Sequence, residues 1–192
     1  MNIESFFLAE FDEHAAVVRA SRTALLESFQ AMLATWTACV RGGGKIMFFG
    51  NGGSAGDAQH LATELSVRYR KDRKPIAALA LTIDTSTLTG AGNDLGFQYV
   101  FSRQVESLGK PGDVAVGIST SGRSTNVIEA LTVARKTGLV AAAFSGGNAG
   151  LLQGLADPLI VVPSSNTARI QVMHIMLGQM LCGALEIELG LV

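Results

Sequence analysis

Five short apolar runs, separated by segments with helical periodicity, follow one another from residue 42 onward. They lie at residues 45–49, 76–81, 113–118, 139–144 and 159–162. Nearly continuous apolar runs of this length indicate strands buried on both faces, and their alternation with helices indicates parallel strands joined by helical crossovers. The sequence therefore predicts an α/β fold with helices on both faces of a parallel sheet. Ligands of such sheets bind beyond the carboxyl ends of the strands.

Helical patterns flank this region on both sides. Residues 2–41 carry no strand signal, and apolar residues between Leu25 and Val40 recur every three or four positions. A long final helix is predicted over residues 167–189. The 192 residues fit one domain, with a helical extension at 1–41 and an αβα core at 42–192 that ends in the long helix.

The composition bears on partners and compartment. Hydrophobic residues make up 48% of the chain and charged residues 16%, which indicates covered sheet faces and surface buried between subunits. A net charge of −1, with no basic cluster beyond residues 68–74, argues against nucleic acid as a partner. Cys39 and Cys182 lie far apart in apolar helical patterns, so we expect them to be buried free thiols in a reducing compartment. Because the N-terminus is acidic and no apolar stretch approaches the roughly 18 residues of a membrane span, a cytoplasmic protein without membrane contact is expected.

A glycine-rich turn follows the first predicted strand. It reads Gly50-Asn51-Gly52-Gly53-Ser54, and Ser54 is the expected N-cap of the next helix. Such a turn gathers backbone N–H groups and a positive helix end, where an anion can rest. His60 and Glu64 share a face of that helix, which suits either a metal and acid/base pair or an ordinary i,i+4 contact.

A second polar loop, Ser119-Thr120-Ser121-Gly122-Arg123-Ser124, follows the third predicted strand. Its hydroxyls, with Ser124 as the expected N-cap of the following helix, suit a phosphate monoester. The loop lacks the Gly-Lys-Ser/Thr of a P-loop, and no G-x-G-x-x-G opens a helix, so neither a nucleoside triphosphate nor a dinucleotide is favoured.

Six motifs together resemble the sugar isomerase (SIS) superfamily, and within it the phosphoheptose isomerases. They are Gly50 to Ser54, Asp57-Ala58-Gln59-His60, Glu64-Leu65, Gly92-Asn93-Asp94, Gly117 to Gly122, and Arg169-Ile170-Gln171. The resemblance runs from about Gly43 to Glu186. It implies an isomerase that converts sedoheptulose 7-phosphate into D-glycero-D-manno-heptose 7-phosphate through an enediol, in lipopolysaccharide or capsule heptose synthesis.

The resemblance also implies a flavodoxin-like three-layer αβα sandwich with five parallel strands, and a homotetramer with phosphosugar sites between subunits. Glu64 is the implied base. The implied substrate contacts are Asn51, Gly52, Gly53, Glu64, Arg68, Asn93, Asp94, Ser119, Thr120, Ser121, Ser124 and Gln171. Many members carry zinc, and the positions that match its ligands are His60, Glu64, Gln171 and Gln179.

The chain departs from the family pattern in its final helix. The family's second histidine, a zinc ligand and acid/base, is Gln179 here, and Val172 and Ala168 replace two acidic residues. An amide oxygen can face a metal, but an amide does not transfer protons at neutral pH. Zinc affinity is therefore expected to fall. His174 is expected to pack and form a hydrogen bond within the core.

Two other functions stay open on the sequence. One is a non-catalytic SIS module that binds a phosphosugar or a protein, because the DnaA initiator-associating relatives share a Thr-Ala-Arg-Ile-Gln start to the last helix and lack a histidine at position 179. Glu64 argues against this alternative, because a module without catalysis has little need of that carboxylate. The other is an isomerase with a different ketose phosphate as substrate.

Overall fold

The computed structural model describes residues 2–192 and has helices on both faces of one parallel sheet. The strands are β1 (Ile46–Gly50), β2 (Ala78–Ala80), β3 (Val114–Ile118), β4 (Val140–Gly146) and β5 (Leu159–Val162). The helices are α1 (Ile3–Ala24), α2 (Leu26–Arg41), α3 (Gly53–Ser66), α4 (Thr85–Asp94), α5 (Ser102–Leu108), α6 (Thr125–Lys136) and α7 (Thr167–Glu188). Short 3₁₀ turns lie at Phe97–Tyr99 and Gly150–Leu152.

The sheet order is β2-β1-β3-β4-β5, and every pairing is parallel. This confirms the predicted three-layer α/β sandwich with five parallel strands. The domain boundary placed at residue 42 stays a prediction, and α2 ends next to it at Arg41.

Side chains that alternate along the strands build two separate cores. In β1, Phe48 belongs to the core under α1, α2, α3 and α7, where its ring meets Trp36 at 5.4 Å between centroids. Its neighbour Phe49 points to the opposite core and lies 5.5 Å from the ring of Phe101. In a strand buried on both faces, no position faces solvent, so apolar residues do not alternate with polar ones. This explains the continuous apolar runs of the sequence.

One local expectation was wrong, and one helix was missed. Helix α3 begins at Gly53 rather than after Ser54, because Gly52 occupies the cap position at a φ of +54° that favours glycine. Helix α5 was not predicted, since it has only seven residues between Gly96 and Gly109. Its buried Val105 belongs to the same core as Phe49.

Helix α7 packs very closely on α3. A Cβ atom at Gly178 would come within 2.6 Å of the Leu61 side chain, so only glycine permits this separation of the two helices. By length and composition α7 also passes a test for a membrane-crossing helix, contrary to the expectation that no stretch would. Half of its most apolar window is buried inside the protein, as in the core helix of a globular domain.

Both cysteines are buried free thiols, as predicted. Burial, with a smaller effect of the Asp113 charge, raises the pKa of Cys39 to about 11.

An ion pair between Lys45 and Asp113 joins the amino ends of β1 and β3. The Asp113 carboxylate, whose side chain is 4% exposed, accepts from the Lys45 ammonium, from the Lys45 backbone N–H at 2.9 Å and from the Lys110 N–H at 2.8 Å. Burial works to raise the pKa of Asp113, but these hydrogen bonds and the Lys45 charge outweigh it and hold that pKa below its usual value.

We expect Asp113→Asn to lower the free energy of unfolding at pH 7 by about 2 kcal/mol, because a charged hydrogen-bond acceptor is lost. The contribution of a carboxyl with a lowered pKa is present above its unfolded pKa of about 4 and is lost as the pH falls through the folded value. Urea unfolding at pH 7 and near pH 3 measures the difference, which should shrink at the lower pH. Glu106→Gln, in the exposed Arg103–Glu106 pair, is the control. An equal loss at both pH values would contradict the assignment.

Candidate functional site

Both glycine- and serine-rich loops leave the sheet side by side. Gly50 and Ile118 are Cα partners at the carboxyl ends of β1 and β3, so residues 51–54 and 119–124 begin at neighbouring points. This is the edge of a parallel sheet at which ligands bind. The predicted anion turn and the predicted phosphate loop therefore form one region.

An amide pair joins the two loops. The Asn51 Nδ2 donates to the Asn126 Oδ1 at 2.9 Å, and the Asn126 Nδ2 donates to the Asn51 Oδ1 at 2.8 Å. Asn126 lies in the first turn of α6 and is only 3% exposed. The two reciprocal hydrogen bonds fix the Asn51 side chain, a predicted substrate contact, relative to the helix that follows the serine-rich loop.

The serine-rich loop is held by its own polar groups. The Ser119 and Ser124 hydroxyls lie 3.1 Å apart, and the Ser121 hydroxyl accepts from the Arg123 N–H at 3.3 Å. Ser124 precedes α6 as predicted, but its hydroxyl does not cap the helix because it faces Ser119 instead. The N–H groups of the first turn of α6 are thereby left to face an anion at the loop.

His60, Glu64 and Gln179 form a cluster at the interface of α3 and α7. The His60 Nε2 lies 2.9 Å from the Glu64 Oε1 and 3.1 Å from the Gln179 side-chain nitrogen. The side chain of His60 is half exposed, whereas that of Glu64 is mostly buried. Gln179 is one residue beyond Gly178, so the close approach of the two helices brings its amide to His60.

Gln171 meets the glycine turn from the start of the same helix. A Cβ atom at Gly53 would lie 2.1 Å from the Gln171 Nε2, so the turn must be glycine there for the amide to lie against its backbone. Helix α7 thus contributes Gln171 to the turn and Gln179 to the His60 cluster. The two glutamines are eight residues apart, slightly more than two helical turns.

The remaining predicted contacts are more dispersed. Asn93 and Asp94, at the end of α4, are exposed and joined to each other by a hydrogen bond of 2.7 Å. Arg68 is exposed beyond the end of α3, and Thr120 is half-buried in the serine-rich loop. Within residues 2–192, no hydrogen bond or ion pair connects Arg68, Asn93 or Asp94 to the His60 cluster. Their roles stay predictions.

Two further buried titratable groups lie on α3 and α7. Asp57, one turn before His60, is buried, and its Oδ2 has no hydrogen-bond partner among the described residues. Burial raises the pKa of Asp57 to about 6, and the nearby His60 works in the opposite direction. His174 is buried as predicted, with its Nε2 donating to the Ser145 carbonyl at 2.9 Å. Burial lowers its pKa to about 4 despite that hydrogen bond.

The donor set does not fit a tight zinc site. Within the described part of the chain, no three His, Cys, Asp or Glu side chains are grouped so as to hold a metal. His60 and Glu64 supply one imidazole and one carboxylate, and Gln179 adds only an amide. Zinc sites in proteins use three or four ligands drawn from thiolates, imidazoles and carboxylates.

A cavity of about 840 Å³ lies elsewhere, beside β4, β5 and the start of α2. It is lined by none of the predicted site residues. We do not assign the reaction to this cavity, because no cluster of catalytic groups faces it.

Sequence reasoning missed Asn126 and Arg73. Asn126 adjoins the apolar stripe of α6, and nothing local distinguishes it from a solvent-facing amide. Arg73 stands in the run Arg68 to Lys74, which was interpreted only as a weak basic cluster, yet its side chain is 1% exposed and paired with Glu186 of α7. A buried arginine is recognisable only once its distant partner is known.

Comparison with known proteins gives consistent results. The sequence profile of the SIS domain matches residues 11–146. A phosphoheptose isomerase of Paramagnetospirillum magneticum is 55% identical over 186 residues, 97% of this chain and 97% of that protein. Phosphoheptose isomerase 1 of Campylobacter jejuni is 49% identical over 92% of this chain and 95% of its own length.

Solved structures agree with these sequence matches. A phosphoheptose isomerase from Neisseria gonorrhoeae superposes with a TM-score of 0.91 at 40% identity, covering 96% of this chain and 99% of the other. One from Francisella tularensis gives a TM-score of 0.93 at 31% identity, covering 96% and 98%.

Proposed function

This chain belongs to the SIS domain family, and within it to the phosphoheptose isomerases, and on that premise we propose that it converts sedoheptulose 7-phosphate into D-glycero-D-manno-heptose 7-phosphate. The observation that carries the proposal is the Glu64 carboxylate, held 2.9 Å from the His60 Nε2, on the helix that begins at the glycine turn. The product enters bacterial heptose synthesis.

The reaction moves two hydrogens and leaves the composition of the sugar unchanged. Glu64 removes a proton from C1 of the open-chain ketose, a C1–C2 double bond forms, and the C2 oxygen gains a proton to give an enediol. Return of the proton from Glu64 to C2, with loss of the O1 proton, gives the aldehyde. Because the Gln179 amide does not exchange protons, transfer between O1 and O2 falls to His60 or a water molecule.

The two loops divide the binding of the substrate. The hydroxyls of Ser119, Thr120, Ser121 and Ser124 and the start of α6 receive the phosphate, as a donor-rich helix N-terminus does. The glycine turn, with Asn51, Gly52, Gly53 and Gln171, binds the sugar end, and Glu64 lies about three turns farther along the same helix. Arg68, Asn93 and Asp94 complete the proposed contacts. The amide pair between Asn51 and Asn126 fixes the distance between the two ends.

Zinc binds here weakly, by this proposal, and no step depends on it. His60 and Glu64 are the strong donors, and Gln171 and Gln179 are the amides at the remaining family positions. The glutamine at position 179 would also suit a non-catalytic module that binds a phosphosugar or a protein. None of the relatives compared above supports that alternative. The two buried free thiols are consistent with the proposed cytoplasmic location.

A homotetramer whose subunits cover the site is part of the proposal. Five exposed apolar residues, Ile3, Phe6, Phe7, Leu8 and Phe11, crowd the first half of α1. Val172, Met176 and Met180 are exposed on α7 near Gln179. Apolar surface of this extent is typical of an interface between proteins. A second copy seated on α7 would shield the half-exposed His60 from water.

We expect Glu64→Gln to lower turnover of sedoheptulose 7-phosphate by about 10³-fold, because the base is lost while its shape is kept. Product formation and solvent deuterium entering at C2, both followed by NMR, measure this. Glu106→Gln, on the exposed surface of α5, is the matched control and should retain wild-type turnover. The proposal fails if the wild-type protein, with and without added zinc, makes no aldose and Glu64→Gln behaves identically.

Gln179→His should increase zinc affinity about tenfold or more, because a second imidazole joins His60 and Glu64. Titration calorimetry and metal analysis of the purified proteins provide readouts that are independent of turnover. Gln30→His, at an exposed position of α2, controls for adventitious binding by a surface histidine. Stoichiometric zinc in the wild-type protein, bound as tightly as in the variant, would contradict the assignment of a weak site.

The double variant Phe7→Asp/Phe11→Asp should form smaller species than the wild-type tetramer, because charges replace two exposed rings that pack 4.9 Å apart. Light scattering coupled to size exclusion measures the mass. Leu108→Asp, another exposed apolar position, tests whether any such charge has this effect. A wild-type monomer at micromolar concentration would refute the assembly.

A further inference from the structure

The guanidinium of Arg73 is buried at the end of α3, the helix that carries Glu64. Its side chain is 1% exposed, and its Nε donates to the Glu186 Oε1 at 2.8 Å. One terminal nitrogen donates to the Glu64 carbonyl at 2.7 Å. The other donates to three carbonyls, those of Leu65 at 2.7 Å, Lys74 at 3.2 Å and Val67 at 3.3 Å.

These contacts replace an ordinary helix cap. The last carbonyls of a helix have no partner within it, and the usual solutions are a glycine just beyond the end or a basic residue in the last turn. Helix α3 has neither, since it ends at Ser66 and continues through Val67. Arg73 returns from seven residues farther along and binds the carbonyls of Glu64 and Leu65 with a planar group that offers five donors.

Glu186 anchors this cap to α7. Its side chain is 2% exposed, and its Oε1 also accepts from the Tyr69 N–H at 3.2 Å. Glu186 lies seven residues beyond Gln179, so the two side chains project from the same face of α7. Helix α7 therefore holds the Glu64 segment in two places, at His60 through Gln179 and at the Glu64 carbonyl through Glu186 and Arg73.

We propose that Arg73, held by Glu186, is a positioning residue that fixes the backbone beneath the catalytic carboxylate of Glu64. The inference rests on the proposed isomerase function. Arg73 contacts the main chain of Glu64 and not its carboxylate. It therefore affects the position and direction of the carboxylate rather than substrate binding. Both polar loops begin at the carboxyl ends of β1 and β3, at the opposite end of α3, so we expect them to keep their geometry when Arg73 is changed.

The test compares Arg73→Lys, Arg73→Met and Glu186→Gln with wild type. Misplacing a reacting group by about 1 Å costs up to about 10²-fold in rate, so kcat of Arg73→Met should fall by about that factor. KM should stay within about twofold, because uniform binding is unaffected. Arg73→Lys keeps the charge opposite Glu186 but has fewer hydrogen-bond donors. Its kcat should therefore lie between that of wild type and that of Arg73→Met. Glu186→Gln leaves the guanidinium facing a neutral amide oxygen in place of its charged partner and should also lower kcat more than it changes KM.

Asp113→Asn separates positioning from loss of stability. It removes a carboxylate from the ion pair that joins the starts of β1 and β3, whose hydrogen bonds go to Lys45 and Lys110, so it lowers stability without breaking a hydrogen bond of α3. Thermal unfolding of all variants identifies any that fail to fold, and kcat is measured well below each midpoint. Addition of methylguanidinium to Arg73→Ala should restore part of kcat while leaving KM unchanged.

Each outcome has one meaning. If folded Arg73→Met and Glu186→Gln keep kcat near that of wild type, the inference is overturned while the isomerase stands. If Asp113→Asn loses kcat as they do, or if KM rises as kcat falls, Arg73 is only structural. If the wild-type protein shows no turnover, the proposed function fails first. A kcat loss confined to the Arg73 and Glu186 variants, reversed in part by methylguanidinium, supports the positioning role.

Discussion

The contact between α7 and α3 is the constraint on which the whole site depends. Gly178 lets α7 approach the Leu61 side chain more closely than any residue with a Cβ atom permits. In the same way, the missing Cβ atom of Gly53 lets the Gln171 amide lie against the backbone of the glycine turn. Residues more than one hundred positions apart thereby meet. A wider separation would leave the two loops at the sheet edge intact but would remove Gln179 from His60 and Glu186 from Arg73.

The fold was predictable because its signals are local. Continuous apolar runs and helical periodicity report burial of the strands and one-sided burial of the helices, so all five strands were found within a few residues. The two errors in the predicted helices also have local causes. Helix α5 is too short to show a period, and the start of α3 depends on the backbone freedom of Gly52, which outweighs the capping preference of Ser54.

The site was predictable only in its local parts. The spacing of His60 and Glu64 places them on one face, and the structure holds them 2.9 Å apart. The link to Gln179 followed from the family resemblance, since no periodicity connects positions 60 and 179. Asn126 and Arg73 were missed because a buried polar side chain has the same sequence signature as an exposed one. Its burial is decided by a partner elsewhere in the chain.

The amide pair between Asn51 and Asn126 has a consequence for the behaviour of the protein in acid. Neither side chain carries a charge or a proton that titrates, so the two hydrogen bonds between the loops have the same strength whether the carboxylates and imidazoles nearby are protonated or not. The framework that sets the spacing of the loops is thus decoupled from the groups that do the chemistry. The relative position of the two loops is therefore expected to be the same in mild acid as at neutral pH.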